Sequence, residues 1–115
     1  MRKSILIFFA ALAMSAFAAD TTVKGYLVDM SCAREDGQKP GFGARHSKDC
    51  LQMDECASSG YGVLTDDKKV IMFDAASNER AKKFIAEMQK AKDIKVNVTG
   101  TLNGSTMTVS KIELQ

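Results

Sequence analysis

The stretch "IKVNVTGTLNGSTMTVSKIEL" (residues 94–114) alternates from its first residue. Ile94, Val96, Val98 and Leu102 are apolar, and Lys95, Asn97, Thr99 and Thr101 between them are polar. That period of two belongs to a half-buried strand. Asn103-Gly104 supplies the positive φ angles of a tight hairpin turn. Met107 and Val109 resume the alternation, but Ile112 and Leu114 fall on the opposite phase. One extra residue near Ser110-Lys111, a β-bulge, restores the apolar face. The C-terminal fifth of the chain is therefore a hairpin with one side turned to a core.

Upstream the period changes. Ala81, Phe84, Ile85 and Met88 stand at i, i+3, i+4 and i+7, which predicts a helix over residues 77–91 with Phe84 and Ile85 facing the core. Ser77 or Asn78 is the expected N-cap. Lys82, Lys83 and Lys90 read as its solvated face. Before the helix, "YGVLT" (61–65) and "VIMF" (70–73) flank the polar turn Asp66-Asp67-Lys68-Lys69 and form a second hairpin. "VKGYLVD" (23–29) is another strand. Gly25 and Gly100 lie inside strands, where glycine permits sharp coiling. Five strands with one α-helix between the third and fourth is the order of an OB-like fold, so a mainly β, five-stranded antiparallel barrel is expected. The rival is an open antiparallel sheet with one helix packed on it.

The ends bound the rest. Met1-Arg2-Lys3, an apolar run over 5–13 and the small residues Ala16 and Ala18 have the layout of a secretory signal peptide, residues 1–18. The run is too short for a membrane-spanning helix, which needs about 20 residues. Removing it leaves one domain, residues 19–115, with 14 basic residues against 14 acidic. A mature chain of zero net charge has no general attraction for nucleic acid or an anionic membrane. Export places the protein in the periplasm or outside the cell, where disulfides persist.

Between the first two strands lies a segment, residues 30–60, that is long for a mere connection. It holds all three cysteines and the single histidine of the chain. Their spacing is C-x13-H-x3-C-x5-C: Cys32, His46, Cys50 and Cys56. Ser47 is a plausible cap for a helix running from there to Ala57, which would set Cys50 near the imidazole of His46. Cys32 ends the first strand and Cys56 nearly begins the second, so pairing of these strands brings the two together at the neck of the loop. Three thiolates and an imidazole form a tetrahedral zinc set, and soft sulfur also suits copper(I), with Met30 and Met53 as thioethers nearby. The alternative is a Cys32–Cys56 disulfide that closes about 25 residues and is worth roughly 3–4 kcal/mol, with Cys50 left over. A third reading is a thiol enzyme in which His46 activates Cys50. The absence of C-x-x-C-H excludes covalent haem attachment. Asp29, Glu35, Asp36, Asp54 and Glu55 read as surface charge, and Gly41-Phe42-Gly43 as a turn with an exposed Phe.

"GYLVDMSCA" (25–33), H-x3-C (46–50), "CASSGYGVLTDD" (56–67) and "VNVTGTLNGSTMTVSKIEL" (96–114) together resemble a group of small secreted bacterial proteins of uncharacterised function. The resemblance implies an OB-like barrel, export, and a Cys, His, Cys, Cys series that maps onto Cys32, His46, Cys50 and Cys56. Many members place the His only a few residues after the first Cys; here thirteen residues intervene. An exported small binding module is expected, acting through its loop on a metal ion or, if stapled by a disulfide, on a protein or other ligand.

Overall fold

The structure, a computed structural model, describes residues 20–115; the expected signal peptide lies outside the described residues. Five strands are present: β1 (Thr21–Asp29), β2 (Tyr61–Thr65), β3 (Val70–Phe73), β4 (Lys95–Asn103) and β5 (Thr106–Leu114). They close into a ring in the order β1-β2-β3-β5-β4, with β4 pairing back onto β1. Four of the five joints are antiparallel, as expected. The fifth, β3 with β5, is parallel, which corrects the all-antiparallel expectation. The reason is parity. Strand directions cannot alternate all the way round a ring with an odd number of members, so one neighbouring pair must run the same way. That joint is short, with Met72 opposite Thr106 and Phe73 opposite Met107.

The C-terminal hairpin forms as the pattern requires. Thr99 pairs with Lys111 and Gly100 with Val109, so Ser110 is the extra, bulged residue. Asn103 is not in the turn itself: it pairs with Thr106, and Gly104 alone carries a positive φ of 64°. Leu27, Val63, Val96, Val98 and Met107 point into the ring and are at most 1% exposed.

The helix between β3 and β4, α5, spans Ala75–Glu87 and closes one side of this core with Ala81, Ile85 and Met88. Phe84, by contrast, is only partly buried at the core's edge. Neither expected residue caps the helix. The Asp74 side chain accepts from Ser77 N–H at 3.0 Å, and Thr108 donates to the other Asp74 oxygen. Ser77 and Asn78 instead fasten α5 to the sheet: Ser77 Oγ accepts from Val109 N–H, and Asn78 Oδ1 from Tyr61 N–H. The helix ends at Glu87 rather than 91 because Met88 turns to an extended ψ of 150° to bury its side chain.

Residues 30–60 are not a bare loop. They fold into four short helices, so the expectation of a single helix is corrected: α1 (Met30–Asp36), α2 (Phe42–Arg45), α3 (Lys48–Gln52) and α4 (Asp54–Ser58). Ser47 does cap α3, accepting from Cys50 N–H at 3.1 Å, but Met53 adopts an extended ψ of 138° and splits the expected 47–57 helix in two. Because neighbouring strand residues face opposite ways, Val28 and Leu64 project outward from the ring. There Ala33 of α1 and Phe42 of α2 cover them in a second small core. Phe42 is thus buried, not exposed as the turn reading supposed. Gly43 makes this approach possible, since a Cβ there would overlap the Tyr26 ring and its Cβ. Gly43→Ala should therefore cost about 1–3 kcal/mol as an overpacked contact. Urea unfolding measures it, and a midpoint equal to wild type would mean that α2 does not press on β1.

Candidate functional site

The site is built at the end of β1. Asp29 is in phase with inward-facing Leu27 and sits opposite Tyr61, so its side chain lies at the mouth of the ring. It is 0% exposed, the reverse of the surface charge it resembles in sequence. As the N-cap of α1 it accepts Cys32 N–H on Oδ2 at 2.9 Å. Its other oxygen, Oδ1, is 2.6 Å from His46 Nε2. An ionised carboxylate only accepts, so Nε2 carries the proton and donates. His46, 6% exposed, follows the last turn of α2 and stacks at 4.9 Å on the Phe42 ring. The histidine thus pairs with Asp29.

The cysteines divide into a pair and a neighbour. Cys32, in the first turn of α1, and Cys56, in α4, meet at the neck of the segment with their Sγ atoms 3.9 Å apart. No bridge joins them, and all three thiols are free. Asp29, Cys32 and Cys56 each offer a donor atom within 4.8 Å of the other two. Of the four residues expected to converge, Cys32 and Cys56 do so. His46 reaches the group through Asp29, and Cys50, half-buried on α3, stands outside it. Asp29 is the member that the sequence hid. Its signal was present, though: an Asp directly after an apolar strand and three residues before Cys32 is an N-cap pattern.

Electrostatics keep this site protonated at sulfur. Burial, then the Asp29 charge, pushes the Cys32 thiol up to about 12. The same two causes raise Cys56. For Asp29 itself, burial pushes the carboxyl up, but the His46 hydrogen bond and the Cys32 N–H outweigh it and hold the group below its ordinary value. A protonated thiol is a poor nucleophile, so this carboxylate works against thiol catalysis at Cys32 or Cys56. A bound cation inverts that logic, because it favours thiolate and carboxylate together.

A lattice of hydrogen bonds to the backbone surrounds the site. Met30 N–H donates to Gly60 O at 2.9 Å and Ser31 N–H to Ser59 Oγ at 3.0 Å, while Ser59 Oγ donates to Cys56 O at 2.6 Å. Tyr61 OH donates to Leu51 O at 2.7 Å, which joins α3 to the ring. On the far side, Lys48 N–H reaches Ala91 O and Lys48 Nζ reaches Met88 O. These bonds fix the helices that carry the sulfurs. Comparison with protein-family models, curated proteins and solved structures gives no match.

Proposed function

We propose that the chain is an exported, OB-like binding module, periplasmic or secreted, that holds one zinc or copper(I) ion at the mouth of its ring. Cys32, Cys56 and Asp29 are the ligands, and Cys50, the remaining thiol, whose charge acts on Cys56, completes the set. His46 takes the supporting role, holding Asp29 by its Nε2–H as hydrogen-bonded carboxylate ligands are commonly held.

The carrying observation is the compact Asp29, Cys32 and Cys56 group. Two thiolates on one tetrahedral zinc at ~2.3 Å stand about 3.8 Å apart, against 3.9 Å here. Two thiols in simple contact would sit at a similar separation. The buried carboxylate beside both is what turns the pair into a ligand set. Soft donors favour zinc or copper(I) over magnesium or calcium.

Other classes receive less support. α1 and α2 cover part of the outer face of β1 and β2, a surface next to the one OB-folds use for oligonucleotides, and the mature chain has zero net charge. Among the described residues no helix is long and apolar enough to cross a membrane. A disulfide-stapled module that binds a protein or other ligand is the second reading, favoured by the same Cys32–Cys56 approach. A thiol enzyme using Cys50 and His46 comes third, since the bond to Asp29 already engages one ring nitrogen.

The test is a zinc titration of reduced protein against a chromophoric chelator. One equivalent should bind, with release of protons from the thiols. Both cysteine pKa values are raised, so affinity should climb with pH and fall steeply below neutral. Binding of less than a stoichiometric amount, or a pH-independent affinity, would reject the site.

A further inference from the structure

We infer that the same two sulfurs are a redox-gated metal latch: a disulfide oxidant converts Cys32 and Cys56 to a bridge and so expels the ion. This rests on the metal site proposed above. The Sγ atoms are 3.9 Å apart, close to the separation a tetrahedral zinc imposes, whereas a disulfide needs about 2.05 Å. One pair of sulfurs cannot satisfy both distances, so the two states exclude each other. The closure is under 2 Å and falls on side chains, because the backbone is already tied on both sides. Asp29 caps the turn that carries Cys32, and Ser59 links the end of α4 to Ser31.

Exposure sets the order of events. Cys32 is half-buried, while Cys56 is 7% exposed. Cys32 is therefore the attacking sulfur. Its sulfur, held as thiolate by the bound ion, attacks a small-molecule or protein disulfide, RSSR, forming a mixed disulfide and releasing one RS⁻. Cys56 thiolate then displaces the second RS⁻ and closes the Cys32–Cys56 bond. Two electrons pass from the protein to RSSR, and the metal ion leaves to solvent. Asp29 and Cys50 remain, too few donors to hold it. Reduction by a dithiol reverses each step. The latch closes the neck of the whole segment that carries His46 and Cys50, so metal content and loop closure report the redox state of the compartment.

The experiment uses zinc-loaded full-length mature protein and oxidised glutathione, with a chromophoric chelator present and peptide mapping by mass spectrometry. Zinc should fall from one equivalent to less than about a tenth as the Cys32–Cys56 bridge forms, and return on reduction. In Cys56→Ser, glutathione should instead remain attached at Cys32. A bridge that forms while zinc stays bound overturns the latch, as does a bridge through Cys50 or a pair that resists oxidation across the glutathione range. A reduced protein that binds no zinc before oxidant is added refutes the metal site itself, a distinct outcome that takes the latch with it.

Discussion

Asp29→Ala should lower the unfolding free energy by about 3–5 kcal/mol, well above the effect of a surface substitution. The carboxylate is 0% exposed and accepts from two buried or half-buried donors, Cys32 N–H and His46 Nε2–H. Hydrogen bonds to a charged group contribute roughly 1.5–3 kcal/mol each, and a donor left buried without a partner adds its desolvation cost. The Cys32 N–H bond is itself the cap on α1, so its loss is counted once. Urea or thermal unfolding of the reduced, metal-free protein measures the sum. Asp29→Asn separates charge from geometry: Asn is as good an N-cap and keeps an acceptor, so most of the stability should survive. Its thiols, freed from the neighbouring charge, should alkylate faster than in wild type at the same pH. An Asp29→Ala protein as stable as wild type would mean that the residue is not buried at the mouth of the ring.

The largest expected effect on binding is that of Cys32→Ser, which should reduce zinc affinity by at least about 100-fold, since it removes a thiolate from the soft donor set. Cys56→Ser should match it, because each cysteine supplies one thiolate to the compact group. Cys50→Ser should cost less, as Cys50 stands outside the compact group. His46→Ala should fall about 10–100-fold in affinity, the usual range for a residue that holds a ligand rather than the metal. The rank order is diagnostic. If His46→Ala were as damaging as Cys32→Ser, the imidazole would be a direct ligand through Nδ1 and Asp29 its support. If none of the four substitutions altered affinity, any zinc taken up would lie elsewhere on the chain.

Much of the architecture was legible because it is written in local periods. The alternation over residues 94–114 fixed two strands, their inward faces and the bulge that the register places at Ser110. The 3.6-residue stripe marked α5, and the polar turn at 66–69 marked the β2–β3 hairpin. Each of these depends on residues a few positions apart, where sequence neighbours are also neighbours in space. The placement of Cys32 and Cys56 at the neck followed from the same logic, as both lie beside paired strand ends.

What sequence left open was decided by closure and by the folding back of residues 30–60. The parallel β3–β5 joint exists because the sheet closes with five strands, a property of the whole ring and of no single strand. Ser77 and Asn78 looked like caps, yet strands distant in sequence claimed their side chains. Phe42 looked exposed until α2 laid it on the outside of β1 and β2. Asp29 looked like surface charge, and His46 like a partner for Cys50, because a polar side chain's value depends on which donor reaches it and how much water remains. The pairing of Asp29 with His46 spans 17 residues and forms only when α1 and α2 fold back onto β1. The chain by itself thus determined its strands, its helix α5 and the gathering of soft ligands in one segment. Tertiary structure alone decided which of them meet, because burial and charge pairing are set by packing between elements rather than by order along the chain.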